Sequence, residues 1–212
     1  MDLEIINPYI MKIIIAAREK DSINSLARRI KVSYGWTYKW VKELAMIGVF
    51  KLYRMKIRLN KENSFYKKVL KFIKVTFRHD VSFFYSAICL FGIQYCFTKT
   101  DSVFVWTKGA YNIGRYKNHY PIFIKIMKKD KEIFYYYMKK LGLNRKQGIY
   151  FSLEFVEEIE CDFLDNIPVD SLKDTIKFMR KYIYNFEPAL EMIEKMYNIK
   201  TGVNYQEAFT NV

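Results

Sequence analysis

The chain has 212 residues, 51% hydrophobic and 18% aromatic, with only 8 Gly and 4 Pro. That composition excludes a disordered or low-complexity protein and disfavours a loop-rich sandwich, propeller or collagen-like array. Lys and Arg number 36 against 22 Asp and Glu, and the resulting charge of +14 points to a polyanionic partner.

Residues 1–79 hold 18 basic and 6 acidic side chains, whereas residues 80–212 hold 18 and 16, so nearly all the excess sits in the first third. A basic binding module joined to an almost neutral partner is the organisation this implies. Three cysteines without C-x-x-C spacing and only two histidines fit neither a disulfide framework nor a zinc site. Neither metal nor cofactor is expected, and a reducing cytoplasm is the natural compartment. The opening Met1-Asp2-Leu3-Glu4 is acidic where a secretory leader is basic. Val81–Thr98 carries no charge, but its Ser, Gly, Gln and Thr read better as a buried helix and a strand than as a membrane span.

In chain order, Asn7-Pro8 opens a helix to about residue 19, with Ile10, Met11, Ile13, Ile14 and Ala17 on one stripe. Asp21-Ser22 caps a short second helix with Ile23, Leu26, Ala27 and Ile30 inward. Lys31-Val32 breaks it, and Ser33 caps a third helix that runs to about Ile47 and is ended by Gly48. On a 100° wheel the core side of this third helix holds Thr37, Trp40, Val41, Leu44 and Ile47. Val49–Tyr53 and Met55–Leu59 alternate as a β-hairpin, with Leu52, Ile57 and Leu59 inward. Ser64 starts an amphipathic linker helix to about Arg78, with Phe65, Val69, Phe72, Ile73 and Thr76 on its apolar side.

Helix, helix, turn, helix and hairpin is the order of a winged helix-turn-helix. The segment from Ser22 to Gly48, with Ala27 inside the second helix, Val32 in the turn and Val41, Leu44 and Gly48 at the close, resembles the DNA-binding core of MarR-like and archaeal regulators. The resemblance implies that the outward face of the third helix enters a major groove with its N-terminal residues leading. Ser33, Tyr34, Tyr38, Lys39 and Lys42 are then the reading surface. Arg28 and Arg29 of the second helix and Arg54, Lys56 and Arg58 of the wing are the phosphate clamps. A two-fold homodimer on a palindromic site is the expected assembly.

Beyond residue 80 the pattern turns to mixed α and β: a buried helix from Phe83 to Phe91 stopped by Gly92, strands at Val103–Thr107, Pro121–Met127 and Gly148–Phe155, and a helix at Lys131–Leu141. Two last helices follow, one capped by Asp170-Ser171 and reaching about Tyr184, the other opened by Pro188. Cys89 and Cys96 read as buried small hydrophobes. The uncharged helix ending in Gly92, then strands and two C-terminal helices, looks like the nucleotidyltransferase-like fold and the effector half of abortive-infection type IV antitoxins. That fold places a Ser after the glycine and two carboxylates on the next strand. Here Gly92-Ile93 and Asp101-Ser102-Val103 lack the Ser and the second carboxylate, which implies a copy without transferase activity.

The expectation is an α+β protein: a winged helix over 1–60, a basic linker over 61–79, and over 80–212 a domain with one small helix-covered sheet for dimerisation or a protein partner. Its expected role is sequence-specific binding of double-stranded DNA in transcription regulation, with no membrane association. The alternatives are a nucleotidyltransferase-related enzyme and a docking module that never touches DNA.

Overall fold

Three hydroxyl or amide caps set the first helices. In the computed structural model, which describes residues 7–54, 56–79, 81–116, 118–143 and 148–202, Asn7 accepts the Ile10 N–H at the head of α1 (Pro8–Ala16). Ser22 does the same for α2 (Ile23–Ile30), and Ser33 for α3 (Tyr34–Met46). The tight break is Lys31, which turns α2 off in the left-handed conformation (φ 54°). α1 stops three residues short of expectation because Ala17 is extended and leads into a strand absent from the sequence reading, β1 (Lys20–Ser22). The hairpin strands are β2 (Phe50–Tyr53) and β3 (Lys56–Leu59), and the three form an antiparallel sheet in the order β1-β3-β2. Met55 lies outside the described residues.

α4 (Ser64–His79), α5 (Val81–Ala87), a 3-10 turn (Ile88–Phe91) and α7 (Lys131–Leu141) complete this first unit, which comprises Met1–Ile93 and Lys129–Arg145. The division therefore does not fall at residue 80. α1 is enclosed by α2, α3, α4, α7 and the 3-10 turn, and its Ile13, Ile14 and Ile15 are wholly buried. Phe77 of α4 meets Phe83 and Phe84 edge-on at 5.0 Å, and Phe91 meets Phe134 and Tyr137 of α7 at 5.5 and 5.3 Å. These rings join the segments on either side of the expected boundary into one core. Phe72 of α4, expected inward, is exposed, and Tyr66 and Phe77 take the buried face with Phe65 and Ile73. The Arg78 side chain is outside the description.

At the C-terminus of α1 the Lys140 ammonium donates to the carbonyls of Ile14, Ile15 and Ala17 at 2.6, 3.0 and 3.0 Å, capping groups the helix cannot satisfy itself. Burial, then the charges of Arg29, Lys61 and Lys74, push this amine down to about 7. From there up to the ordinary lysine range the unfolded chain binds more protons than the folded one. The cost of burying the cation is thus complete below pH 7 and fades as pH rises. Denaturant titrations are expected to give higher stability at about pH 9 than at about pH 7, a rise that Lys140→Met should lose.

The second unit comprises Gln94–Lys128 and Lys146–Val212. Its five-stranded mixed sheet has the order β6-β5-β4-β8-β7, from β4 (Tyr95–Phe97), β5 (His119–Met127), β6 (Gly148–Val156), β7 (Asp162–Leu164) and β8 (Ile167–Val169). Its helices are α6 (Thr100–Trp106), α8 (Leu172–Lys181) and α9 (Ile183–Tyr197). α6 replaces the strand expected at Val103–Thr107. Asp101, Ser102, Val103, Val105 and Trp106 are all buried, and a helix buried on nearly every side loses the periodicity that would announce it. Pro188 lies inside α9 rather than at its start. The bond it cannot make would have gone to the carbonyl one turn back, at Tyr184, a residue 99% exposed to water. Cys89 is exposed, against expectation, whereas Cys96 is buried. Among the described residues no helix is long and apolar enough to cross a membrane.

Candidate nucleic-acid interface

α3 buries Thr37, Val41 and Leu44. Two residues assigned to its core side differ: Trp40 is only half-buried and Ile47 is exposed. The opposite side carries Tyr34 and Tyr38, one turn apart with rings stacked at 6.1 Å, and Lys42 one turn further on. Lys39 stands over both Trp36 and Trp40, 5.1 and 5.0 Å from the ring centres, and Trp36 stacks in turn on Tyr9 of α1 at 5.5 Å. Trp36 and Tyr9 escaped the sequence reading because neither sits on the basic stripe used to find the surface. Ser33 is exposed at the head of α3 with its hydroxyl oxygen occupied by the cap, accepting the Trp36 N–H. Its own hydrogen and one remaining lone pair are left for a partner.

The sheet adds a second surface. Its register sets Lys20 and Lys51 on either side of Arg58, and Ser22 and Tyr53 on either side of Lys56. Alternation puts all six on one face, while Phe50, Ile57 and Leu59 are buried on the other. Leu52 shares that other face yet is exposed near the hairpin tip. Three cations in one cross-strand row repel each other, and like charges directly opposite destabilise a sheet. Lys20 was invisible in the sequence because a three-residue strand carries no readable alternation. Arg54 holds the exposed hairpin tip with a left-handed backbone, φ 50°.

Arg29 is a correction. It was expected as a phosphate clamp, but its side chain is 9% exposed and forks onto Asp21 at 2.7 and 3.2 Å, with a further bond to the Ala16 carbonyl. A bidentate pair with a buried carboxylate leaves it no freedom to reach a ligand. Arg28, one residue earlier, is exposed. Among the described residues no carboxylate forms an ion pair with Arg28, Lys39, Lys42, Arg54, Lys56 or Arg58. The acids nearest the sheet, Glu19 and Asp21, are taken by Lys61 and Arg29.

In the second unit Asp101, the one carboxylate matched to a nucleotidyltransferase metal site, has no exposed surface. It accepts the Phe123 N–H at 2.6 Å and pairs with Arg115 at 2.7 Å, itself 1% exposed. It stands in the first turn of α6, so the strand on which that resemblance places its carboxylates is a helix here.

No family model matches the chain, and neither a curated protein nor a solved structure matches it.

Proposed function

We propose that the first unit is a winged helix-turn-helix module and that the protein binds double-stranded DNA sequence-specifically as a transcription regulator. The order helix, strand, helix, helix, hairpin and the β1-β3-β2 sheet fit that architecture. One observation carries the reading: the exposed basic surface made by Tyr38, Lys39 and Lys42 on α3 and by the Lys20–Arg58–Lys51 row on the sheet, whose neighbouring acids Glu19 and Asp21 are paired with Lys61 and Arg29. Repulsion within such a row is relieved by the phosphates of a polyanion. In this reading α3 lies in the major groove, where Lys42 meets guanine O6 or N7 and Tyr38 a base edge. The sheet holds the flanking backbone and fixes register without reading sequence. A two-fold pair of chains on a palindrome would extend the short site one α3 can read, and the cytoplasm is the compartment this role implies.

A second reading has its own support. The stacked, exposed Tyr9, Trp36, Tyr34 and Tyr38 have the aromatic composition of protein-binding hot spots. Titration of the full chain with a selected duplex and with a scrambled one separates the two. Tyr38→Ala and Lys42→Ala should each weaken the selected site by about 1–3 kcal/mol and the scrambled duplex far less. Parent-like binding of both duplexes by both variants would replace the DNA reading with the docking one.

A further inference from the structure

The first unit holds a second basic feature that the proposed DNA surface does not use. The end of α1, the start of α4 and α7 border a cavity of about 470 Å³ lined by Arg18, Lys61, Lys139, Lys140, Tyr66 and Tyr136. Glu19 and Leu59 complete the lining, and Glu19 is held by Lys61 at 2.7 Å. Four cations therefore face one carboxylate, and among the described residues Arg18 and Lys139 form no ion pair. The Lys140 ammonium is the innermost of them, tied to the α1 carbonyls and also sensing Arg29 and Lys74. Burial first, and these cations second, lower its basicity. The walls are aromatic. Lys140 lies 5.5 Å from the Tyr66 ring centre and 5.8 Å from that of Tyr136, and Arg18 lies 5.8 Å from the latter. The Tyr136 hydroxyl donates to the Ala17 carbonyl at 3.0 Å, which fixes its ring as a wall.

We propose that this cavity binds a nucleotide, its phosphates set against Arg18 and Lys139 and its base against the half-buried Tyr136 ring, with Lys140 and Tyr66 as the floor. The volume lies within the range of small-ligand sites, and aromatic walls with a few convergent charges are their usual lining. Cationic side chains bound phosphate oxygens through charge-assisted hydrogen bonds, and a base is the apolar, planar body that tyrosine rings accept. A nucleotide also discharges the cluster, so its binding stabilises the unit that carries it.

The test uses the full chain in calorimetry and thermal unfolding with purine and pyrimidine monophosphates, the matching nucleosides, and inorganic phosphate. At least one monophosphate should bind with 1:1 stoichiometry and raise the unfolding midpoint, with the nucleoside and inorganic phosphate each weaker by about tenfold or more. Arg18→Glu and Lys139→Glu alter exposed side chains and should each weaken the monophosphate by about tenfold, whereas Lys56→Glu, on the wing, should leave it unchanged. Absence of monophosphate binding at millimolar concentration overturns the proposal, as does a Lys139→Glu variant that binds like the parent. A nucleic-acid backbone is the other source of phosphate. Should Lys139→Glu weaken duplex binding while no monophosphate binds, the cavity belongs to the DNA surface and the nucleotide assignment falls. None of the lining residues named belongs to the proposed DNA surface, so failure of the DNA reading leaves the monophosphate result standing.

Discussion

Under the proposed DNA-binding role, replacing Lys20, Lys51 and Arg58 together by Gln is expected to weaken duplex binding and stabilise the protein at once. Each lost phosphate contact removes about 0.9 from the slope of log affinity against log salt, so three contacts remove nearly three units. At about 0.1 M salt that amounts to a loss on the order of 10²–10³-fold, on selected and scrambled duplexes alike. Stability moves the other way, because the substitution ends the repulsion of Arg58 with Lys20 and with Lys51 across the strands. Opposed like charges cost on the order of 0.2–1 kcal/mol per pair, enough to raise a melting midpoint by a few degrees. Added salt should stabilise the parent by the same route and the triple variant much less. A variant that melts higher but binds DNA with the parent's salt slope would show that the row is a solvated surface.

Arg115→Met is expected to be the most damaging single substitution in the second unit. The pair with Asp101 is buried on both sides, and removing one partner of a buried ion pair costs about 3–5 kcal/mol. Asp101 would keep the Phe123 N–H but lose the Arg115 guanidinium. Hydrogen exchange is the suitable readout. Amides of β4, β5 and α6 should lose protection, while those of α2 and α3 should not. The double variant Asp101→Leu with Arg115→Met should recover much of the loss, since an apolar replacement of similar volume removes the desolvation cost along with the attraction. If Arg115→Met melts within about 1 kcal/mol of the parent, the pair is not the keystone its burial indicates.

Local chemistry made the first half legible. Asn7, Ser22 and Ser33 act at short range by accepting an N–H three residues ahead, and Gly92 supplies the left-handed stop the chain needs. Those signals located α1, α2, α3 and the end of the 3-10 turn, and the alternation of Ile57 and Leu59 located β3. What was not legible depends on distant partners. β1 is three residues held only by pairing with β3, and α6 hides its period because both its faces are buried. The fate of Arg29 was set by Asp21, eight residues away on the preceding strand, and an arginine count cannot separate a clamp from a strut. Gln94–Lys128 lies between the two parts of the first unit, so no shift of composition marked where that unit ends.

That interruption has a consequence for synthesis. Chains tend to fold domain by domain from the N-terminus as they emerge. The first unit cannot follow that order, because Phe134, Tyr137 and the Lys140 cap arrive only after β4, α6 and β5 have been made. Until then α1 has one flank of isoleucines uncovered and three carbonyls at its C-terminus without their lysine. A messenger cut short before α7 would yield a basic fragment with an open core, the kind of exposed apolar surface that quality control recognises and removes.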